Sequence, residues 1–359
     1  MTKKILALLL GVLMALTLTA CGGGGGDKPA EKPAEKPAAS TDKKEAGLLG
    51  KADAEKHLKV GTTTAPDGHY VLGLIEMQKK LEELSGGKMT LDIYPNSALG
   101  GESDMMDAVS NGTQDMVLSS TGPIPSFSNA TKRWSTLDLP YLFKDREQAY
   151  KVLDGKVGEM LLKDFEGTGV KAIGFWENGF RELTNNKKEI KTPADLAGMK
   201  IRTMENAVHM ATYKQLGATP TAMAWGEIFS ALQQGTVDGQ ENPLAIILTA
   251  KVYEVQKYLS MIDLFYSPCV LMINEDTYKG FTDEQRKWFD EAAAYGKQQE
   301  RKISQEIDSK ARAEMEKQGV KFTDVNKDEW VKAVMPVYDD TSIGIDKDLL
   351  GQIRTETGN

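Results

Sequence analysis

The sequence has few of the residues on which metal sites and disulfide-stabilised folds depend. Its 359 residues include two cysteines and three histidines, His57, His69 and His209. Two cysteines form at most one disulfide, so a fold held together by several disulfides is excluded. Three histidines this far apart give no ligand spacing typical of a metal site. We therefore expect neither a metal nor a cofactor.

Catalytic sequence motifs are absent as well. There is no His-Glu-x-x-His, no Gly-x-Ser-x-Gly, no phosphate-binding loop that ends in Gly-Lys-Ser/Thr and no Cys-x-x-Cys. The five glycines at 22–26 are not a nucleotide-binding loop, because no strand precedes them and no helix follows. The sequence therefore favours a protein that is not an enzyme, with a hydrolase that uses an unmarked carboxylate pair as the open alternative.

The chain has fewer positively charged than negatively charged residues. There are 44 Lys and Arg against 52 Asp and Glu, a formal net charge of −8. Binding to the phosphate backbone of a nucleic acid requires a basic face. We therefore expect no nucleic acid partner.

One long apolar run is present, and it lies at the N-terminus. Two lysines precede residues 5–20, a run of 16 residues, which is shorter than the about 18 to 20 apolar residues of a transmembrane helix. Residues 18–21, Leu-Thr-Ala-Cys, resemble the bacterial lipobox, in which cleavage precedes a lipid-modified cysteine. We expect residues 1–20 to be a signal peptide and Cys21 to be the lipidated N-terminus. The alternatives are an uncleaved membrane anchor and a buried structural cysteine.

Residues 21–56 have the composition of a linker. After the five glycines, Lys-Pro-Ala-Glu repeats run from Lys28 to Lys36, and the prolines favour an extended spacer. We expect this segment to tether a folded body, which begins at residue 57, to a lipid anchor on the periplasmic or extracellular face of a membrane.

The body alternates short strand-like runs with longer helical patterns, which is typical of an α/β fold. A helical pattern from Thr282 to about Gln318 is long enough to brace two domains. The predicted strands are 58–64, 89–94, 116–120, 170–176, 199–203, 237–240 and 265–273, and the other predicted helices are 69–84, 103–111, 146–166, 208–216 and 225–234.

A dense series of motifs follows the chain from residue 90 to residue 243. Upstream it contains Tyr94-Pro-Asn, Leu99-Gly-Gly-Glu102, Leu137-Asp-Leu-Pro-Tyr-Leu-Phe143 and Gly174-Phe-Trp-Glu-Asn-Gly179. Its central part contains Phe180-Arg181-Glu-Leu-Thr-Asn, Thr192-Pro-Ala-Asp-Leu-Ala-Gly-Met-Lys-Ile-Arg202, Leu216-Gly-Ala-Thr-Pro, Trp225-Gly-Glu-Ile-Phe-Ser-Ala-Leu-Gln-Gln-Gly235 and Val237-Asp-Gly-Gln-Glu-Asn242-Pro.

Together these motifs resemble the DctP-type solute-binding protein of tripartite ATP-independent periplasmic (TRAP) transporters, over residues 57–340. The resemblance implies a two-lobed periplasmic binding protein fold with crossing strands and a long helix spanning both lobes. Lobe I would comprise 57–179 and 268–307, and lobe II 180–267 and 308–359. It implies capture of a small organic carboxylate between the lobes and delivery to the membrane subunits of a transporter. A sensor that engages a receptor instead of a permease is the alternative.

The resemblance also implies roles for polar residues in the central motifs. Arg202 would clamp the ligand carboxylate, since a guanidinium can offer two parallel hydrogen bonds; an interdomain or surface salt bridge is the alternative. Arg181 would be a second ligand contact or a gate, or else part of a structural ion pair. Asn242 would contact the ligand through its amide, or else cap a helix in front of Pro243.

Five further residues are candidates for the binding site. Trp225 and Trp176 would form apolar walls against the ligand, although most tryptophans belong to cores. Glu102 would receive a ligand hydroxyl or amino group, or else serve as an acid at a helix N-terminus. His69, in the first strand-to-helix loop, and Thr121, after two serines, are ligand contacts or simply local structural residues.

Overall fold

Two β-sheets organise the residues that the computed structural model describes, 47–358. The predicted signal peptide, the lipidated Cys21 and most of the predicted linker lie outside the described residues. No helix within 47–358 is both long and apolar enough to cross a membrane.

The first sheet has five strands in the order β2-β1-β3-β10-β4. Strand β1 pairs in parallel with β2 and β3, whereas β10 runs antiparallel to both β3 and β4. The strands of this sheet are β1 (Lys56–Gly61), β2 (Met89–Tyr94), β3 (Met116–Ser120), β4 (Val170–Phe180) and β10 (Tyr266–Asn274).

The second sheet has six strands in the order β11-β9-β5-β8-β6-β7. Strand β6 pairs in parallel with β7 and β8, and β11 with β9, whereas β5 runs antiparallel to β8 and β9. Its strands are β5 (Glu182–Asn185), β6 (Lys200–Thr203), β7 (Thr219–Ala222), β8 (Gly239–Asn242), β9 (Tyr258–Met261) and β11 (Lys321–Asp324).

The chain crosses between the sheets at two adjacent places. Strand β4 of the first sheet leads into β5 of the second through one residue, Arg181, and β9 returns to β10 through residues 262–265. The backbone N–H of Arg181 donates to the carbonyl of Phe265 (2.9 Å), and the N–H of Leu264 donates to the carbonyl of Arg181 (3.2 Å). The two crossings are thus hydrogen-bonded to each other at Arg181, which confirms the expected crossing strands.

Helices cover the two sheets. They are α1 (His69–Ser85), α2 (Glu102–Ser110), α3 (Ile124–Phe127), α4 (Arg146–Leu153), α5 (Lys156–Leu162), α6 (Ala207–Gln215), α7 (Ile228–Gln233), α8 (Leu244–Thr249), α9 (Glu275–Lys279), α10 (Asp283–Lys317), α11 (Lys327–Val334) and α12 (Lys347–Thr357). Short 3₁₀ turns connect several of them.

The long helix α10 begins and ends as the sequence predicts. Thr282 caps its first turn, because the Thr282 hydroxyl accepts from the Gln285 N–H while the Gln285 side chain accepts from the Thr282 N–H. The helix packs on α1 beside the first sheet and on α8 beside the second. Near its C-terminal half, Asp308 accepts from the Ala245 N–H (2.8 Å) and pairs with Arg146 of α4. One helix therefore braces both sheets.

Two predictions about the helices need correction. The predicted helix 146–166 is divided into α4 and α5, because Asp154 and Gly155 end the first helix and start the second. The C-terminal residues were expected in lobe II, but α12 packs on α4 and α5, and Leu350 and Ile353 join the apolar core beside the first sheet. The apolar face of α12 determines this placement, which the motifs upstream of residue 243 do not indicate.

The close packing of α1 on α10 depends on glycine. A Cβ atom at Gly296 would lie 2.7 Å from Met77 Cβ and 2.9 Å from Trp176 Cη2, and one at Gly73 would lie 2.4 Å from Glu300 Cβ. These distances are too short for real contacts, so a side chain at either position would separate the two helices.

We therefore expect Gly296→Ala to lower the free energy of unfolding by about 1–3 kcal/mol, as overpacking does. Gly351→Ala is the matched control: it lies inside α12 with open space around the new methyl group, and replacing glycine within a helix should stabilise by about 0.5–1 kcal/mol. Urea unfolding of the three proteins measures both effects. A stabilising Gly296→Ala would contradict the packing described here.

Candidate binding site

The carboxyl ends of parallel strands from both sheets meet at one cavity. Ligands bind characteristically at this end of parallel strands in α/β proteins. The cavity is small, with about 340 Å³ of space between protein atoms, counting the part that is open to solvent. The residues that line it come from both sheets and from the crossing between them: Thr63, Thr64, Tyr70, Glu102, Ser120, Asn178, Arg181, Arg202, Met204, Trp225, Asn242 and Ile246.

Arg202 is a buried cation without a protein carboxylate. It lies near the end of β6 and is 3% exposed. Its Nε and Nη2 donate to the backbone carbonyl of Met223 (2.9 and 2.6 Å), and no carboxylate among residues 47–358 forms an ion pair with it. Burial, and after it the charge of Arg181, lowers the pKa of the Arg202 guanidinium to about 10. The charges of Glu241, Glu102 and Glu205 oppose this lowering of the pKa, but none of these carboxylates forms an ion pair with Arg202.

Arg181 has the opposite environment. Its Nε and Nη2 donate to the Glu241 carboxylate, and Nη2 also donates to the Glu241 carbonyl (2.8 Å). Burial would lower the pKa of Arg181, but Glu241 raises it above the usual value. Burial would raise the pKa of the Glu241 carboxyl, yet Arg181 and then His209 lower it to about 2. These contacts are those of a structural ion pair, which was the alternative to a ligand contact for Arg181. Arg181 also lines the cavity.

Asn242 lines the cavity at the end of β8. Its Nδ2 donates to Gln240 Oε1 (2.6 Å), and Gln240 in turn donates to Thr184 Oγ1 (3.0 Å). The residue at the N-cap of α8 is Pro243, so Asn242 does not cap that helix. This hydrogen-bond chain fixes the amide beside the cavity.

Trp225 and Glu102 also line the cavity, from opposite sides. Trp225 is half-buried, and its ring centroid lies 5.9 Å from the guanidinium carbon of Arg202, within the range of a cation–π contact. Glu102 is the first residue of α2 and accepts two hydrogen bonds from Ser120, at Oε1 from the N–H (2.7 Å) and at Oε2 from the hydroxyl (2.6 Å). An aromatic surface and a carboxylate thus both face the space beside Arg202.

Three predicted residues lie outside the lining of this cavity. Trp176 is buried in the apolar core between α1 and α10, where Gly73 and Gly296 leave room for its ring, so the expected wall is corrected to a packing residue. Thr121 is buried and donates to Asp138 Oδ1 (3.3 Å).

His69 is the third of these residues. It is fully buried at the start of α1, with Nε2 3.8 Å from Glu300 Oε1. Burial lowers the pKa of His69 to about 3 and raises that of Glu300 well above its usual value. The neighbouring Tyr70, and not His69, reaches the cavity lining.

Several other lining residues were not predicted from the sequence. Thr63, Thr64 and Ser120 follow or end β1 and β3, and their positions at the ends of parallel strands are a signal that could have found them. Asn178 belongs to the motif at residues 174–179, from which only Trp176 was predicted to contact the ligand. Tyr70, Met204 and Ile246 have no comparable sequence signal, because their approach to the cavity depends on tertiary packing.

Metal-ligating side chains do not converge in the described part of the chain. No group of three or more His, Cys, Asp or Glu within 47–358 has the arrangement of a metal site. The polar groups at the cavity are instead amides, hydroxyls, two guanidinium groups and one carboxylate. This set can bind a small polar anion through direct hydrogen bonds.

Comparison with known proteins gives one consistent family. Residues 60–343 match the family model described as DctP, bacterial extracellular solute-binding protein, family 7. A solute-binding protein of Verminephrobacter eiseniae is 40% identical over 305 residues, which cover 85% of this chain and 90% of the relative.

Two solved structures of TRAP periplasmic solute-binding proteins have the same fold. The protein from Polaromonas sp. JS666, bound to D-erythronate, is 39% identical with a TM-score of 0.79, covering 83% of this chain and 98% of that one. The protein from Sulfurospirillum deleyianum, with bound succinate, is 32% identical with a TM-score of 0.80, covering 84% and 99%. Both are binding proteins of transporters and not enzymes.

The contrast between the two arginines predicts different effects on folding. Arg181→Ala leaves the buried Glu241 without its cation and should lower the free energy of unfolding by about 3–5 kcal/mol. Arg202→Ala removes a cation that forms no ion pair, and the loss of its two hydrogen bonds to the Met223 carbonyl is offset by the removal of a buried charge, so the stability of the ligand-free protein should change by less than about 1 kcal/mol. Urea unfolding after ligand removal compares them. Equal losses would contradict the pairing of Glu241 with Arg181.

Proposed function

Because the chain belongs to the DctP family, family 7 of bacterial extracellular solute-binding proteins, we propose that it captures a small organic carboxylate in the cavity between its two sheets. The observation that carries this proposal is the Arg202 guanidinium, which is buried at the cavity and forms no ion pair with a carboxylate of the described chain. A charge in such a position is costly unless an anion compensates it. The carboxylate of a ligand would be that anion.

The geometry of Arg202 suits end-on binding of a carboxylate. Nε and Nη2 already donate to the Met223 carbonyl, so that side of the guanidinium is occupied. The end formed by Nη1 and the second hydrogen of Nη2 remains to give two parallel hydrogen bonds. Asn242 and Trp225 line the same cavity and would orient the ligand through an amide and an aromatic surface.

The ligands of related proteins support the same class of solute. D-erythronate and succinate, bound in the two solved structures, are both small organic acids. Their shared carboxylate is the group that a single buried guanidinium recognises.

We propose further that the two sheets belong to two lobes that close on the ligand. The division would pass through Arg181 and residues 262–265, with α12 assigned to lobe I on account of its packing. A ligand shifts a hinge equilibrium only as far as it contacts both sides, and this cavity is lined from both sheets. The closed, loaded form would then be recognised by the membrane subunits of a TRAP transporter.

Delivery is tested by transport. Vesicles that contain the membrane subunits of a TRAP transporter from the same organism should accumulate the labelled acid only when the loaded chain is added. Binding without accumulation would favour the alternative, a sensor that engages a receptor.

The first prediction for this function concerns ligand affinity. Mass spectrometry of the purified native protein identifies the acid that co-purifies, and calorimetry after unfolding and refolding measures its binding. We expect Arg202→Ala to weaken binding by about 2–5 kcal/mol, and Arg202→Lys to recover only part of this, because lysine lacks the planar fork. Arg312→Ala, on α10 and paired with Asp324 away from the cavity, is the control. Near-native affinity of Arg202→Ala would contradict the proposal.

The second prediction concerns the membrane. We propose that Cys21 carries the lipid and that residues 22–56 connect it to the body. Cys21→Ser should give a soluble or unprocessed protein, which detergent phase partitioning measures. Recovery of the variant in the membrane fraction with its leader removed would show that another feature anchors the chain.

A further inference from the structure

We infer that the cavity selects monocarboxylates that bear hydroxyl groups over dicarboxylates, and that Glu102 makes this distinction. The inference rests on the proposed function, since it assumes that the ligand carboxylate binds Arg202. It goes beyond that function by naming the rest of the ligand.

The charged groups at the cavity provide for one ligand carboxylate. Three charged side chains line it, Arg181, Arg202 and Glu102. The charge of Arg181 is already matched by Glu241, which is fully buried and hydrogen-bonded to two of its nitrogens. Of the two lining cations, only Arg202 thus forms no ion pair within the described chain. A second ligand carboxylate would enter a small cavity that offers no further unmatched cation.

Glu102 opposes a second carboxylate and accepts a hydroxyl. Both of its oxygens are held by Ser120, at 2.7 Å from the N–H and 2.6 Å from the hydroxyl, so the side chain is fixed at the cavity. A carboxylate accepts hydrogen bonds and donates none, so it binds a hydroxyl and repels another carboxylate in a site of low dielectric. Each oxygen retains capacity for a further donor after its bond to Ser120.

Two buried polar atoms of the lining have no hydrogen-bond partner within residues 47–358. They are Thr64 Oγ1 and Arg181 Nη1. Buried polar groups are almost always paired, so each calls for an oxygen of the ligand. A hydroxyl can donate to one group and accept from another, and Thr63, Ser120 and Asn178 line the same space. A hydroxylated carbon chain satisfies this set, whereas a bare alkyl chain leaves these atoms unpaired.

Three acids with four carbons each can distinguish recognition of hydroxyl groups from recognition of a second carboxylate. D-erythronate has one carboxylate and three hydroxyls, succinate has two carboxylates, and butyrate has one carboxylate alone. We expect the ligand-free wild-type chain to bind D-erythronate at least tenfold more tightly than either of the others, measured by calorimetry at one pH and ionic strength.

Glu102→Gln tests the role of the carboxylate. The glutamine oxygen can still accept from the Ser120 N–H, and its amide can donate to the Ser120 hydroxyl, so the local structure is retained. We expect at least tenfold weaker binding of D-erythronate and at least tenfold tighter binding of succinate, because an acceptor is replaced by a donor. Asp107→Asn, which removes one exposed negative charge from the same helix, should leave both affinities within twofold.

The outcomes separate this inference from the proposed function. Equal or tighter binding of succinate by the wild-type chain, or failure to bind D-erythronate at all, overturns the inference. So does a Glu102→Gln variant whose preference is unchanged, or an Asp107→Asn variant with the same shift. The effect of Arg202→Ala is a separate result. If Arg202→Ala binds D-erythronate as well as the wild-type chain does, while the wild-type chain still prefers D-erythronate to succinate, the carboxylate clamp is contradicted and the hydroxyl selectivity is not.

Discussion

A buried guanidinium requires an anion, and this requirement is met differently by the two arginines of the structure. Arg181, at the point where the chain passes from one sheet to the other, has its anion in Glu241. Arg202, near the end of a strand in the second sheet, forms no ion pair with any carboxylate among the described residues, although the charges of Glu241, Glu102 and Glu205 act on it from further away. The first pair is complete within the protein and stabilises the crossing, whereas the second group is complete only when a ligand supplies the carboxylate. Folding and binding thus depend on separate charges.

The topology explains why these groups lie together. Parallel strands point their carboxyl ends in one direction, and in this chain both sheets direct such ends to the same cavity. The single-residue connection between β4 and β5 keeps the sheets adjacent, and the long helix α10 contacts helices beside both. A solute that contacts Arg202 in the second sheet and Glu102, which is hydrogen-bonded to Ser120 of the first sheet, therefore contacts both sides of the hinge that we propose.

Local signals made much of the fold predictable from the sequence. Strand β2 is bounded as predicted, and the Thr282 cap with its long uninterrupted helical pattern gave α10 to within a residue at each end. The same local signals did not reveal that residues 154–155 interrupt a helix. They also could not place α12, since its apolar face fits against helices almost 200 residues earlier in the chain, which local patterns do not encode.

The candidate site was predictable only where a motif carried the residue. Arg202, Asn242 and Trp225 were selected and line the cavity, but Trp176, from an equally distinct motif, is buried where two glycines open a space between helices. The different states of Arg181 and Arg202 could not be predicted either, because Glu241 lies 60 residues from its partner in sequence. Tertiary contacts alone determine which of the two arginines has no ion pair and can bind a ligand carboxylate.

The most direct measurement of the central claim is a crystal structure of the chain purified with the acid that it retains. The account predicts both carboxylate oxygens within about 3.2 Å of the Arg202 guanidinium nitrogens, with Arg181 still paired to Glu241. A ligand carboxylate bound elsewhere, or a protein carboxylate paired with Arg202 in the loaded form, would contradict it.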